Sequence, residues 1–541
     1  MLHRYPVSDP LHDRSGPDTF WTTVNAAEAL PGVSTPLNWS WFGDSVERAF
    51  RWTFVDMGVI HPAATMVSAS VDDRLWGVFY GRAAANLDTF RRLADLTPGT
   101  SGDALEQQIF GTVRPDAESH PSRRRYPVVA ARLPRAAVAL PKVLAGHRRS
   151  VEAFWRASVL EPPADADEAR ARFADAHARF EAVMRPHTLA AMLAQGVYEQ
   201  VSKLAAAAGR PGLETRLMTG FGGFEETRLM RELWAVSRGQ RSLSDFLAVH
   251  GYHGPTEGEI SSRSWREDRS PVAQLLETYR GMDEAAGPAV VERQRIGERE
   301  KATAALIAAL PAARRPAAKL VLRVARRYIP LREVGKTAFL QSLDTARAAA
   351  RVVGEDLARQ GVVGDPDDVF YLTVPELVDP GLADPTLSDG IKEAVALRRE
   401  RRDEYLKVKL PESWTGQPEA IPITASEAAA EGAEITGLAV SPGVVEGRVR
   451  VVLDPLAGEP LQPGEILVCE TTDPSWTSLF LVAAGLVIDV GGALSHGAIL
   501  ARELGVPCVI NTRVGSQVLR TGDLLRVDGD AGRVEVLRSG S

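Results

Sequence analysis

The chain changes character once, between residues 411 and 433, and that change limits how it can fold. Before it, long runs rich in Ala, Arg, Glu and Leu repeat their apolar residues at helical spacing. They predict helices over residues 165–210, 285–310, 317–328 and 335–360, the last followed by Gly361 where a helix C-terminal glycine is expected. The charged stretch 391–409 predicts one more. The first 130 residues are mixed, with Trp21, Pro31, Trp39, Trp41 and Trp52 set among turn residues. Residues 411–433 are rich in proline, glycine, small residues and acids, the composition of a linker. After them come short apolar runs at 435–440, 447–453, 466–469, 486–490 and 508–510, divided by turn residues as strands are. Residues 497–504 have the composition of a helix, closed by Gly505 and Pro507. The expected fold is multidomain: a mainly helical domain over 1–410, a linker over 411–433, and a small α/β domain over 434–541.

Charge and composition remove several classes of function. The 541 residues are 45% hydrophobic, enough to bury large cores, and carry a formal net charge of −7. Nucleic acid and anionic membranes reward concentrated positive charge, so neither is expected as a partner. No segment offers the roughly 18 unbroken apolar residues of a membrane span, and the first 13 residues lack an apolar signal core. A cytoplasmic location is expected. Cys469 and Cys508 form no CxxC pair, which argues for two buried thiols rather than a zinc site or disulfide framework.

The chemistry concentrates in Gly491-Gly492-Ala493-Leu494-Ser495-His496-Gly497-Ala498-Ile499-Leu500-Ala501-Arg502-Glu503-Leu504-Gly505-Val506-Pro507. An apolar strand runs into two glycines, which permit a sharp turn, and a histidine then opens a helix. The first turn of a helix leaves backbone N–H groups unpaired and carries partial positive charge, a combination that holds anions. An imidazole largely unprotonated near neutral pH is also a competent nucleophile.

This segment resembles the swivelling phosphohistidine domain of the phosphoenolpyruvate (PEP)-utilising enzymes, a family that includes PEP synthase, pyruvate phosphate dikinase and rifampicin phosphotransferase. The likeness extends upstream through Thr472-Asp473-Pro474-Ser475-Trp476-Thr477 and Ser441-Pro442-Gly443-Val444-Val445-Glu446-Gly447. It implies that His496 carries a phosphoryl group, with Ser495 beside it.

The larger part resembles the substrate-binding region of rifampicin phosphotransferase-like proteins. Residues 25–32 and 35–40, Gly81-Arg82 with Asn86, Gly254-Pro255 with Glu257, Trp265-Arg266-Glu267-Asp268, residues 331–336 and residues 367–372 carry it. The resemblance implies that Asn25, Arg82 and Glu259 contribute to substrate binding. Arg332 and Lys336, four apart on a predicted helix, repel each other unless an anion lies between them. The resemblance implies that they face the incoming phosphohistidine, whereas composition alone also allows two solvated cations offset by Glu333. In Tyr252-His253-Gly254-Pro255-Thr256-Glu257, related proteins usually have histidine then arginine where Tyr252 and His253 stand here. The substitution removes a cation, and His253 or Glu257 serves either to deprotonate an acceptor hydroxyl or in a structural role.

In the family an ATP-grasp domain precedes the substrate region, and these residues hold neither its sequence nor a Walker-type phosphate loop. The expectation is a phosphotransferase component of dikinase type. A separate ATP-grasp subunit, using ATP and Mg²⁺, charges His496, which passes the phosphoryl group to a hydroxyl of a small organic molecule. This chain itself is expected to bind no cofactor and no metal. Two rivals remain: the same phosphorylation used to activate a hydroxyl for elimination, and a binding or regulatory protein without activity.

Overall fold

A computed structural model of the chain describes residues 7–24, 26, 30–110, 113–115, 117–221, 225–284, 287–383, 385–423, 429–453, 461–472, 476–492 and 495–540, without the side chains of 107–110, 383, 385–388, 477–478 and 496. Its residues group into two compact units. The first comprises 1–190, 258–261 and 334–423; the second comprises 191–257, 262–333 and 424–541. The passage at 423/424 falls within the expected linker. The helical part is itself divided, and much of it, 191–257 and 262–333, clusters with the C-terminal α/β region.

Helices predominate in the first unit. Two long ones were hidden from sequence reasoning. In Pro36–Met57, Thr35 caps the start by accepting from the Asn38 N–H at 3.3 Å, Pro36 stands at the first turn, and Gly58 ends it at φ +86°. These are ordinary start and stop signals, but they lie among the tryptophans and turns that make the region read as mixed. Tyr126–Leu160 runs for 35 residues and contains Pro134 and Pro141, whose missing N–H groups normally argue against a helix. Three other long helices follow the expected periodicity: Ala166–Ala207, which leaves the unit after Ala190, Leu331–Arg359 and Pro385–Tyr405. Their core joins Trp41, Phe173 and Phe180 to Leu343, Ala346 and Val353, all with no exposed surface. A four-stranded antiparallel sheet completes the unit, in the order Trp76–Phe79, Arg82–Asn86, Phe20–Thr22, Ser413–Thr415. The last strand lies inside the expected linker. Trp414 is buried beside Trp21 and Phe79, so residues 413–415 belong to the fold of this unit.

The C-terminal part of the second unit is an eight-stranded mixed sheet. Its order is Glu434–Thr436, Arg533–Arg538, Leu524–Asp528, Val444–Val451, Ile466–Cys469, Gly485–Ile488, Cys508–Ile510, Leu438–Ser441. The four strands from Val444 to Ile510 are parallel neighbours. Leu467, Val468, Leu486, Val487 and Val509 are fully buried, which is why these strands read as continuous apolar runs rather than alternating ones. Each such side chain contributes about 1.5–3 kcal/mol. The single strand expected over 435–440 is two strands at opposite ends of the sheet order. They are broken at Gly437, where a Cβ would stand 2.5 Å from the Ile510 carbonyl oxygen. Cys469 and Cys508 are buried, and burial pushes the Cys508 thiol up. No helix among the described residues is long and apolar enough to cross a membrane.

Candidate functional site

The strand Gly485–Ile488 delivers the chain to the histidine helix, His496–Leu504. Asp489, buried at the strand's end, accepts from Thr512 Oγ1 at 2.6 Å and from the Ser516 N–H at 2.9 Å, which anchors the departing loop. At Gly491 (φ +154°) a Cβ would stand 2.4 Å from Ile510 Cδ1, so only glycine lets the backbone turn against that side chain. Ala493 and Leu494 lie outside the described residues. Ser495 caps the helix: its backbone is extended, and its hydroxyl accepts from the Ala498 N–H at 3.2 Å. His496 is the first helical residue, at the positive end of the helix dipole. Its imidazole lies outside the described atoms. In the same turn, a Cβ on Gly497 would stand 2.7 Å from Thr472 Oγ1, so this glycine lets Thr472 lie against the first turn of the histidine helix. Asp473, Pro474 and Ser475 of that motif lie outside the described residues.

The far end of the histidine helix is fixed within its own unit. Glu503 is buried and accepts from the Gly220 N–H at 2.8 Å. Burial pushes its carboxyl up to about 7; the Gly220 N–H and Arg502 oppose that rise, and Glu292 adds to it. Arg502 is buried next to it, and burial holds its guanidinium below the ordinary value. Tyr198, Glu503 and Cys508 favour its charge, while Arg332 repels it. Arg332 thus lies within electrostatic reach of the histidine helix. It shares the opening turns of the helix Leu331–Arg359 with Lys336, four residues on and on the same side. The chain passes between the two units at Glu333/Val334, inside this helix.

His253 and Glu257 are both buried, and His253 Nδ1 is hydrogen-bonded to Glu257 Oε1. Two backbone bonds hold the loop: Trp265 N–H to the His253 carbonyl at 2.7 Å, and His253 N–H to the His250 carbonyl at 3.1 Å. Thr256, at φ +50°, takes the left-handed turn between His253 and Glu257, a conformation that costs a β-branched residue energy. His253 Nε2 is buried and meets no hydrogen-bond partner among the described residues. The ring lies between Tyr252 and Trp265, with centroid distances of 4.2 and 5.4 Å. His250, whose Nε2 bonds Glu232 Oε2 at 3.0 Å, is pushed down to about 3 by burial and then by His253, against the pull of Glu232. The pairing of His250 with Glu232, 18 residues away, was not foreseen, because nothing in the sequence links the two positions.

Of the expected substrate-binding residues, Glu259 and Arg82 are hydrogen-bonded within the first unit. Glu259 accepts from the Thr35 N–H and hydroxyl at 3.1 and 2.7 Å and from the Ser261 N–H and hydroxyl at 3.1 and 2.9 Å. Arg82 donates to the carbonyls of Tyr80, Tyr405 and Val408. In these positions both tie the first unit together. Asn25 lies outside the described residues. No group of three or more His, Cys, Asp or Glu side chains able to hold a metal ion occurs among the described residues.

Residues 461–532 match the PEP-utilising enzyme, mobile domain, and residues 197–333 match the rifampicin phosphotransferase fourth domain. A rifampicin phosphotransferase from Streptomyces sviceus is 32% identical over 323 residues, 58% of this chain and 37% of its own length. An uncharacterised protein of Mycobacterium tuberculosis is 31% identical over 344 residues, 63% of this chain and 36% of its own. A prodigiosin synthesizing transferase from Serratia marcescens is 34% identical over 306 residues, 55% of this chain and 34% of its own. The chain spans about a third of the length of these relatives. Two separate stretches thus match modules of one enzyme family, and it is the PEP-utilising phosphotransferases that this chain resembles.

Proposed function

We propose that the chain is a phosphotransferase component that carries a phosphoryl group on His496 and passes it to a hydroxyl of a small organic molecule. The observation that carries this reading is His496 itself, which opens a serine-capped helix within the stretch that matches the mobile domain. Helix N–H groups and the dipole favour the dianionic phosphoryl group there. In the transfer step the acceptor oxygen forms its bond to phosphorus as the bond from the His496 nitrogen breaks. The hydroxyl proton goes to His253 Nε2, whose ring Glu257 orients through Nδ1. Arg332 and Lys336 stabilise negative charge on the phosphoryl group in flight. A separate ATP-grasp subunit, working with Mg²⁺, supplies the phosphoryl group to His496.

Phosphate labelling tests the reading. The purified chain is incubated with β-labelled and then γ-labelled ATP, alone and with lysate from its own source, beside His496→Ala. Acid-labile label that requires lysate and is lost in the variant is the expected result. Label gained by the chain alone would overturn the partner requirement, and absence of label under every condition would overturn the phosphotransferase reading.

A further inference from the structure

Residues 301–332 hold eight of the chain's 63 Lys and Arg and none of its 70 Asp and Glu, so the net charge of −7 divides into +8 here and −15 elsewhere. Six of the eight, Arg314, Arg315, Lys319, Arg323, Arg326 and Arg327, are exposed on or beside the helix Arg315–Tyr328. Arg315, Lys319, Arg323 and Arg327 stand four apart, about 6 Å per step along the axis, and Arg326 falls in the same sector. The opposite side is spent on the core: Ala318, Val321, Leu322, Ala325 and Ile329 join Leu306 and Leu310 in one cluster. Exposed arginines elsewhere find carboxylates, as Arg280 does in Glu277 at 2.5 Å. Arg315 donates to the Leu310 and Ala308 carbonyls, but Lys319, Arg323, Arg326 and Arg327 meet no carboxylate within ion-pair distance among the described residues.

Like charges four apart on a helix repel, so the stripe costs this helix stability until carboxylates face it at a similar spacing. Its chemistry sorts the possible occupants. Insertion into a lipid surface needs a free apolar face, and only Leu320, 57% exposed, remains at the edge of the cations. A long polyphosphate would run past the stripe, about 18 Å from Arg315 to Arg327, onto a chain that is otherwise net acidic. A folded protein can present carboxylates over that length alone, with an apolar side chain to meet Leu320. The stripe also belongs to the unit that holds the histidine helix. Arg299 is held below its ordinary value by burial and then by the charge of Arg326. Arg299 in turn donates to the Thr219 and Gly220 carbonyls, and the Gly220 N–H is the donor to Glu503.

We propose that the cationic stripe of Arg315–Tyr328 docks an acidic face of the ATP-using subunit that charges His496. The face it fits carries Asp or Glu about 6 Å apart, as one side of an exposed helix does. The identity of the partner rests on the phosphotransferase reading; the docking of an acidic protein face does not.

The test uses the full chain in two assays. One variant combines Lys319→Glu, Arg323→Glu and Arg327→Glu; its control combines Lys142→Glu, Lys392→Glu and Arg526→Glu, three exposed cations scattered over the chain, for the same net charge. Glutamine at the three stripe positions replaces the reversal if that disturbs the circular dichroism spectrum. In the first assay fluorescein-labelled poly-L-glutamate stands for the acidic face, and its anisotropy is followed at about 150 mM salt without ATP or partner. The expected result is binding that the stripe variant weakens about tenfold or more and the control changes less than about twofold. In the second, His496 labelling is measured against the amount of lysate. The stripe variant should need about tenfold more lysate for half-maximal labelling and reach the parent's plateau, while the control follows the parent. Labelling of the stripe variant at parent-like lysate concentrations overturns the proposal. Tighter binding of the parent to phosphatidylserine vesicles or duplex DNA than to polyglutamate also overturns it, and assigns the stripe to a membrane or a nucleic acid. Absence of label in the parent overturns the phosphotransferase reading. The polyglutamate titration then decides the docking face by itself, and equal affinity in the stripe variant and its control overturns that too.

Discussion

Glu503 gives a sharp test of how the histidine helix is held. Its carboxyl moves from an ordinary 4.5 to about 7 in the fold, with burial as the main cause. A carboxyl raised in this way keeps its proton in the folded chain over a window, pH 4.5 to 7, where the unfolded chain has lost it. Folding then takes up a proton, so stability is fully present below about pH 4.5 and falls as pH rises through about 7. At about 1.4 kcal/mol per pKa unit, the loss across the window is on the order of 3 kcal/mol. Glu503→Gln keeps an acceptor for the Gly220 N–H but cannot ionise. The variant should match the parent near pH 4.5 and exceed it by up to that amount above pH 7. Because the chain has two units, the measurement should be local: amide hydrogen exchange of peptides covering residues 496–504, corrected for the intrinsic pH dependence of exchange. The parent should lose protection between pH 5 and 7.5, and the variant should not. The same slope in both proteins would refute the claim that a buried, proton-retaining Glu503 anchors this helix.

Two further outcomes follow from the proposed chemistry. His253→Asn and Glu257→Gln should each slow transfer to the acceptor by about 10²–10⁴-fold while acid-labile label accumulates on His496. Unchanged turnover in both would return the pair to a structural role. Arg332→Met and Lys336→Met should each lower the transfer rate by about 10²–10³-fold at saturating acceptor, with the circular dichroism spectrum unchanged. A rise in KM without a fall in kcat would show that they bind substrate rather than stabilise the transferring group.

What the sequence made legible depended on how local each signal was. The histidine helix was read nearly to the residue, because the two glycines before it and Gly505 after it are close neighbours of the helix they bound. The buried parallel strands were equally plain, since full burial on both faces leaves a continuous apolar run. Tyr126–Leu160 was not, because its two internal prolines oppose a helix locally and the packing of Leu140, Leu144, Val151 and Trp155 outweighs them. The strand Ser413–Thr415 was lost in a stretch of linker composition, because its partner Phe20–Thr22 is nearly four hundred residues earlier.

The candidate site divides along the same line. His496, Ser495, Arg332 and Lys336 were singled out as candidates because each lies in a short motif whose neighbours carry the meaning. The groups that set their surroundings come from distant segments: the Gly220 N–H on Glu503, and Tyr198 and Arg332 around Arg502. A cavity of about 660 Å³ among the helices Pro36–Met57, Tyr126–Leu160 and Ala166–Ala207 is the extreme case, since alanines, a tryptophan and two arginine–carboxylate pairs have no signature in a linear pattern. Even Pro186 reads in sequence only as a flaw in a long helix. Its place in the wall of this cavity emerges only when the other two helices close around it. A motif at one helix end is therefore readable from such a chain, whereas a cavity built from unremarkable residues on three helices is not.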